Sequence, residues 1–171
     1  VDTLISRIME IFAAFPDLIF AMGIMFVIGP GIKNIFIALG LLTLVRTARM
    51  VRGQILQLKE KEYVEAAKAS GATAFHTITK HLIPNCISTV IVLVTLGIPN
   101  AIMYEASLSF LGLGIQPPTA SWGSMISFAQ PYISYLPTYS IFPGIAIMIT
   151  VIAFNIFGDG LRDALDPKMK N

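Results

Sequence analysis

The longest charge-free stretch of this sequence limits most strongly how the chain can fold. No Asp, Glu, Lys or Arg occurs from Ala106 to Gly158, and apolar side chains dominate this stretch. A soluble domain of 171 residues has too small a core to bury a stretch of that length. Lipid, or a partner embedded in the membrane, must therefore cover much of it.

The composition of the whole chain supports the same conclusion. Hydrophobic residues make up 55%, charged residues 13%, and the mean hydropathy is +0.74, whereas roughly a quarter of the residues in soluble domains are charged. We therefore predict an all-α integral membrane protein, a bundle of transmembrane helices. Its single cysteine, Cys86, excludes an internal disulfide and a cysteine-based metal site.

Four segments are apolar enough to cross a membrane. A hydrocarbon core about 30 Å thick needs about 20 apolar residues per helical span. The candidates are Leu4 to Ile28, Ile35 to about Met50, Cys86 to Tyr104 or beyond, and Ile141 to Phe157. The second works only if its helix continues through Arg46 and Arg49, whose long side chains would snorkel toward the phosphate headgroups.

The distribution of basic residues predicts the orientation. Seven fall from Arg46 to Lys80, at the end of the second span and between it and the third, and Arg162, Lys168 and Lys170 follow the fourth. The connection after the third span has neither Lys nor Arg from Leu111 to Pro137, and the turn Gly29-Pro30-Gly31 is followed only by Lys33. Since basic loops stay inside, we expect both ends of the chain to be cytoplasmic.

A charged stretch from Glu62 to Asn85 interrupts the apolar runs. Good helix formers up to Ser70, the interruption at Gly71 and the proline at Pro84 predict a helix, a glycine turn and a second helix that Pro84 closes. Small residues dominate the first helix, so another protein could approach its backbone closely. The alternative is a solvated loop with a short amphipathic helix.

The second of these helices carries a short apolar stripe. Phe75, Ile78 and Leu82 recur at helical spacing. The stripe would hold the helix against the membrane domain or against a partner.

Glu65, Ala66, Ala67 and Gly71, followed by Leu82-Ile83-Pro84, resemble the EAA loop of bacterial ABC importer permeases. The resemblance implies a cytoplasmic segment at about 57–85, here called the EAA segment, seated in a groove of an ATPase subunit. It implies a polar contact from Glu65, close approach at Ala66, Ala67 and Gly71, and a return into the third span at Pro84. The implied coupling residues are Tyr63, Glu65, Ala66, Ala67, Gly71, His81 and Pro84.

Two further segments are similar to the C-type subunits of the dipeptide, oligopeptide and nickel permeases. One runs from Glu105 to Pro118 and continues in Ser121-Trp122-Gly123, and the other is the closing stretch from Phe157 to Pro167. The resemblance implies a type I ABC importer fold, of which residues 1–171 would be the C-terminal part of one transmembrane domain. Residues from Trp122 to Ala129 are expected to form a short helix at the outer interface.

Acidic residues near membrane depth indicate either a polar translocation path or hydrogen bonds within the bundle. For Glu10 and Asp17 we favour hydrogen bonding or a headgroup-level position. For Glu105 both interpretations stay open, since Asn100 and Ser107 lie close to it in sequence. The candidate path residues are Asn100, Glu105 and Ser107.

The sequence contains no phosphate-binding loop of the GxxxxGK[ST] type, so ATP and Mg are expected on partner ATPase subunits and no cofactor on this chain. His76 and His81 fall in the EAA segment, and no metal or catalytic role is assigned to them. The implied partners are the ATPase subunits, a second homologous permease, an extracytoplasmic substrate-binding protein and the lipid of the bacterial cytoplasmic membrane. No nucleic acid is expected.

The predicted function is transport without bond chemistry by this chain. The resemblance implies ATP-driven import of dipeptides or oligopeptides, with nickel as the alternative cargo. Two hypotheses come from other classes: an intramembrane hydrolase that uses Glu10, Asp17 or Glu105 as acid or base, and a membrane scaffold whose EAA segment docks a partner other than an ATPase. The hydrolase lacks a nucleophile and base at recognisable spacing.

Overall fold

A computed structural model of the chain describes residues 2–165, and over that range it is built from helices and turns without a strand. The prediction of an all-α membrane protein is confirmed. Residues 166–171, which include the end of the closing motif, Lys168 and Lys170, lie outside the described part. The helices are α1 (Asp2–Ala13), α2 (Asp17–Ile28), α3 (Ile32–Lys59), α4 (Glu62–Ala69), α5 (Ala74–Thr77), a π-helical segment (Ile78–Leu82), α6 (Ile83–Phe110), α7 (Trp122–Ala129), a 3-10 turn (Gln130–Tyr132) and α8 (Thr138–Leu165).

The first predicted span, Leu4 to Ile28, is divided between two helices, α1 and α2, which meet at an angle of 92°. Pro16 lies directly before α2 in an extended conformation, and a proline disfavours helical geometry at the residue before it. Instead of continuing α2, α1 packs across α3, where the Arg49 guanidinium donates a 2.6 Å hydrogen bond to the Met9 carbonyl. In the described residues three helices can each span a membrane, or four segments if the bent pair counts as one.

The other three predicted spans lie inside longer helices. Helix α3 continues through Arg46 and Arg49 and has 28 residues, as the second span required. The third predicted span falls within α6, and the fourth falls within α8, each also of 28 residues. At a rise of 1.5 Å per residue each of these helices is about 42 Å long, which is enough to cross the hydrocarbon core and both headgroup layers.

The core lies between α2, α3 and α6. Ala21, Met25, Ile35, Ala38 and Leu108 form one buried cluster, in which the two alanines allow the backbones of α2 and α3 to approach each other closely. Most large apolar side chains elsewhere in the described chain point outward. Their surroundings are therefore lipid or other membrane-embedded protein rather than water.

The connections at the other end from the EAA segment fold back onto the helices. The Gly31 N–H donates a 3.1 Å hydrogen bond to the Gly114 carbonyl, so the α2–α3 turn contacts the loop after α6. Helix α7 covers the predicted residues from Trp122 to Ala129 and packs so tightly on α6 that a Cβ at Gly123 would overlap the Ala106 carbonyl. The Ser127 hydroxyl adds a 2.9 Å hydrogen bond to the Phe110 carbonyl.

Candidate functional site

Helix α4, the first half of the EAA segment, is anchored through one side chain. Val64 is fully buried, whereas Glu65 and Ala66 are exposed and Ala67 is half-buried. Removing the Val64 side chain from water stabilises the docked helix, since apolar burial contributes roughly 25 cal/mol per Å². The helix is thus held from one side and presents its acidic and small residues on the other.

Gly71 ends α4 in the conformation that the predicted turn requires. Its φ of +83° is in the left-handed region, which costs a residue with a Cβ about 1–2 kcal/mol. The Ala72 N–H donates a 3.0 Å hydrogen bond back to the Ala67 carbonyl, the six-to-one bond of a Schellman cap. A Cβ at Gly71 would meet no heavy atom within 4 Å, so the backbone conformation and not packing selects glycine.

The second half of the EAA segment begins with a capped turn. The Thr73 side chain accepts a 3.2 Å hydrogen bond from the His76 backbone N–H, as an N-cap does. The buried Thr77 donates its hydroxyl to the Thr73 carbonyl at 3.1 Å. Caps on both sides of Gly71 therefore hold the two halves at a defined angle.

The prediction that Pro84 closes the segment is wrong. Helical structure is continuous from Ala74 to Phe110, and Pro84 lies in the first turn of α6. In the π-helical segment before it, the Ile83 N–H donates to the Ile78 carbonyl five residues back. A π-helical turn holds one residue more than a regular turn. This widening accommodates the Pro84 ring, because a proline ring in a regular α-helix would clash with the carbonyl four residues earlier.

Two amide side chains satisfy backbone groups near this turn. Asn85 donates its Nδ2 to the His81 carbonyl at 2.7 Å, and Gln54 on α3 donates its Nε2 to the Asn85 carbonyl at 3.2 Å. The second bond joins α3 to the beginning of α6. The EAA segment is therefore attached to both long helices that flank it.

Three rings bridge the two halves of the EAA segment. The centroids of Tyr63 and His81 are 6.0 Å apart, as are those of His76 and His81. Tyr63 and His81, both predicted coupling residues, thus contact each other. Tyr63 also keeps 41% of its surface exposed, so it contributes to the outer face as well.

The predicted apolar stripe on the second helix divides into an inner and an outer part. Leu82 is 4% exposed, whereas Ile78 is 45% and Phe75 is 76% exposed. Leu82 thus packs within the protein, and Phe75 and Ile78 enlarge the outward apolar surface of the segment.

Within the membrane-spanning region, polar side chains from three helices meet. The Asp17 carboxylate of α2 pairs with the Arg46 guanidinium of α3 and accepts a 2.8 Å hydrogen bond from the Tyr104 hydroxyl of α6. We call these three residues the Asp17 cluster. Arg46 lies about 21 Å from the beginning of α3, at 1.5 Å per residue.

The guanidinium of Arg46 thus turns to Asp17, and the prediction that it snorkels toward the headgroups stays a prediction. The expectation that Asp17 is hydrogen-bonded inside the bundle matches its two contacts. The signal for the Asp17 cluster in the sequence was the acidic Asp17 inside the first predicted span. The two partners of Asp17 could not be predicted from the sequence, because the three residues are far apart along the chain.

A cavity of about 140 Å³ adjoins the Asp17 cluster. Its charged groups are Asp17 and Arg46, and Thr43, Thr47 and Asn100 add uncharged polar groups. Arg46 and Asp17 both line the cavity, and their side chains remain 52% and 28% exposed. The other lining residues are Leu39, Leu42, Met50, Leu93, Leu96, Gly97, Ala101 and Tyr104.

Glu105 lies in a different environment from Asn100. Its carboxylate accepts a 2.6 Å hydrogen bond from the Ser109 hydroxyl, and that hydroxyl oxygen accepts the Ile115 N–H at 2.9 Å. A Cβ at Gly114 would overlap Ser109, so the loop after α6 lies directly on this residue. Glu105 thus helps to fix that loop.

Ser107 occupies a third position. Its hydroxyl donates a 2.8 Å hydrogen bond to the Met103 carbonyl, and the residue borders a mostly apolar depression with Leu18 and Phe110. The three predicted path residues therefore do not share one cavity, and of the three only Asn100 lines the cavity at the Asp17 cluster.

These features define a multi-spanning helical membrane protein with a polar cavity among its helices and an exposed helical surface of small residues beside them. The chain belongs to the family described as the binding-protein-dependent transport system inner membrane component, whose model matches residues 1–171.

Two named relatives illustrate this membership. The glutathione transport system permease protein GsiD of Shigella flexneri is 44% identical over 169 residues, covering 99% of this chain and 56% of the relative. The dipeptide transport system permease protein DppC of Alkalihalophilus pseudofirmus is 44% identical over 171 residues, covering 100% of this chain and 56% of the relative. The chain thus spans 56% of the length of these curated relatives.

Proposed function

We propose that this chain forms part of the permease subunit of an ATP-driven importer that moves dipeptides or oligopeptides across the bacterial cytoplasmic membrane. Its family supports the permease assignment. The relatives are named for the transport of glutathione and of dipeptides, and both cargoes are short peptides. The protein would bind and pass its cargo unchanged, while partner subunits hydrolyse ATP.

The arrangement of charge supports an orientation and a set of partners. The basic residues around the EAA segment favour a cytoplasmic location for it, where its exposed small and aromatic side chains would dock on the ATPase. The opposite end, with the α2–α3 turn and α7, would then face the extracytoplasmic binding protein. A second homologous permease would complete the path.

A continuous helix is the observation that carries this mechanism. The helical stretch Ala74–Phe110 has 37 residues and is about 55 Å long at 1.5 Å per residue. It begins beside Phe75 in the EAA segment and carries Tyr104, which contacts Asp17 on α2. ATP-driven closure of the ATPases would displace the end of this helix at Ala74. The helix would transmit that displacement to the cavity at the Asp17 cluster.

The individual roles follow from exposure. Glu65 would make a polar contact with the ATPase, and Ala66 and Ala67 would permit close approach. Gly71 would hold the turn between the two halves, and Tyr63 would contribute from the same outer surface. His81 and Pro84 would act from within the segment, the first through its ring contacts and the second through the π-helical entry into α6.

The experiment that tests the proposal is ATP-dependent uptake into proteoliposomes by the full-length permease with its partners. Labelled dipeptide, a longer peptide and nickel ion are compared, each with excess unlabelled competitor. We expect peptide uptake that excess peptide blocks and nickel does not. Nickel uptake would favour the alternative cargo, and uptake without ATP would contradict the proposed mechanism.

A further inference from the structure

A second cavity, of about 420 Å³, lies between α3, α6 and α8. We call it the Arg162 cavity. Among the described residues that line it, Arg162 carries the only charge and Thr89 the only other polar side chain. The remaining lining residues are Met50, Val92, Leu93, Leu96 and Leu165. The cavity is therefore apolar, with one cation and one hydroxyl.

A close contact between α6 and α8 forms one end of the Arg162 cavity. A Cβ at Gly158 would lie 2.6 Å from the Leu96 Cδ2 atom, so the two helices touch there. Arg162 follows Gly158 by four residues, which places it on the same face of α8 and about 6 Å further along the helix. The cavity thus extends from this contact to the exposed Arg162 side chain.

The Arg162 cavity lies where the charge-free part of the chain ends. No charged residue occurs from Ala106 to Gly158, and Arg162 is in the last turn of α8. Thr89 lies near the beginning of α6, which is the end attached to the EAA segment. The cavity therefore joins an apolar level of the bundle to a level with charged side chains, as a lipid molecule joins acyl chains to a headgroup.

Both polar groups of the cavity are available to a ligand. Neither the Arg162 guanidinium nor the Thr89 hydroxyl makes a hydrogen bond or an ion pair with another residue of the described range. A cation among apolar side chains of a membrane protein is unfavourable without a counter-charge. Guanidinium binds phosphate through paired N–H donors, which makes a phosphate ester a well-matched counter-charge.

We propose that the Arg162 cavity binds an anionic phospholipid, with Arg162 and Thr89 on the phosphate and the apolar side chains along the beginning of an acyl chain. Basic pockets between membrane helices on the cytoplasmic side bind lipids in this way. The proposal concerns a resident lipid and is independent of the cargo.

The charge of the lining favours an anionic lipid over other ligands. The described lining contains no carboxylate, so the ammonium group of phosphatidylethanolamine or phosphatidylcholine has no counter-charge in the cavity. The amino group of a peptide cargo would lack an acceptor for the same reason. Phosphatidylglycerol has a negative phosphate and no cation, and its acyl chains match the apolar wall.

The test uses the full-length permease and ATPase complex in detergent. Native mass spectrometry gives the relative affinities of phosphatidylglycerol, phosphatidylethanolamine and phosphatidylcholine. We expect phosphatidylglycerol to bind about fivefold more tightly, the factor that corresponds to about 1 kcal/mol for a basic side chain near anionic lipid. It should also raise the melting temperature of the complex more than the other two lipids, because a ligand of the folded state stabilises that state.

Variants assign the preference to the cavity. Arg162→Gln should remove the preference for phosphatidylglycerol, and Arg162→Lys should retain part of it. Thr89→Val should weaken all three lipids alike, because each has a phosphate, and should leave the preference intact. Arg7→Gln is the matched control, since it makes the same change at an exposed arginine that pairs with Glu10 at 2.7 Å and does not line the cavity.

Equal binding of the three lipids by the unaltered complex would overturn the inference, and this comparison needs no variant. A preference that survives Arg162→Gln, or that Arg7→Gln removes equally, would overturn it as well. Displacement of phosphatidylglycerol by excess glycerol phosphate would assign the cavity to a soluble phosphate compound instead of a lipid. Displacement by excess dipeptide would assign it to the cargo and would refute the lipid site alone.

Discussion

The EAA segment and the Asp17 cluster are both attached to the continuous helical stretch Ala74–Phe110, but different forces hold them. The segment is fixed by the buried side chains of Val64 and Leu82 and by backbone caps, whereas Glu65 and Ala66 on its outer face are exposed. The cluster is held by charged hydrogen bonds between three helices. Substitutions on the outer face should therefore alter partner binding alone, whereas substitutions in the cluster should alter stability.

The largest effect on transport is expected from Gly71→Pro. Proline fixes φ near −65°, whereas the turn holds φ at +83°, so the two halves of the EAA segment cannot keep their angle. We expect uptake per ATP hydrolysed to fall at least about tenfold, equivalent to about 1.4 kcal/mol of lost coupling, while ATP hydrolysis continues. Proteoliposome uptake and phosphate release measured together test this expectation.

The matched control for that substitution is Gly53→Ala. Gly53 is on the same side of the protein, within α3, and a Cβ there meets no heavy atom within 4 Å. Alanine also favours a helix interior, so uptake should not change. Unchanged coupling in Gly71→Pro would instead favour the scaffold hypothesis, in which the segment docks a partner that is not an ATPase.

A smaller effect is expected from Ala66→Leu. Ala66 is exposed, so the larger side chain has room in the isolated subunit but would separate α4 from a closely apposed ATPase. Affinity for the ATPase subunit should weaken about tenfold, or about 1.4 kcal/mol, with the free energy of unfolding unchanged. Ala13→Leu is the control, since Ala13 is exposed on α1 and outside the segment. Equal affinities for both variants would contradict close approach at Ala66.

Tyr104→Phe, in contrast to Ala66→Leu, should lower stability and leave ATPase affinity unchanged. It removes the donor of the 2.8 Å bond to the Asp17 carboxylate, and a hydrogen bond to a charged group contributes about 1.5–3 kcal/mol. The free energy of unfolding in detergent titration should fall by about that amount, with ATPase affinity unchanged. Tyr139→Phe, on an exposed ring of α8, should leave stability unaltered. If Tyr104→Phe instead lowered ATPase affinity without lowering stability, the proposed division between a binding surface in the EAA segment and a stabilising Asp17 cluster would be contradicted.

The smallest effect is expected from Glu65→Gln. An exposed ion pair contributes about 0.2–1 kcal/mol, so affinity for the ATPase should weaken by about fivefold at most. The weakening should also diminish at high salt, because salt screens exposed charges. Glu62→Gln on the same helix is the control for net charge. Identical affinities for the two variants would indicate that Glu65 makes no specific polar contact.

The features that sequence predicted well are those encoded by neighbouring residues. The lengths of the apolar runs predicted the positions of α3, α6 and α8. The short helix predicted from Trp122 to Ala129 has the bounds observed for α7. Gly71 was predictable for the same reason. A helix that ends and restarts within a few residues needs a left-handed position, and glycine adopts it without strain.

The candidate path residues were predicted less well because nearness along α6 was taken as nearness in space. Glu105 follows Asn100 by five residues, which places it about 140° round the helix at 3.6 residues per turn. It therefore contacts Ser109 and the loop after α6, while Asn100 lines the cavity. Ser107 returns to the side of Asn100 but lies two turns further along.

By itself, the sequence determined that the chain is a helical membrane protein, where three of its long helices lie and that Gly71 interrupts the EAA segment. These properties depend on apolar length and on the conformational preferences of single residues. Tertiary structure decided that α1 packs across α3, that helical structure continues past Pro84 and that Arg46 pairs with Asp17. The last of these depends on the packing of α2 against α3, which brings the Asp17 carboxylate to Arg46 from a distant part of the sequence.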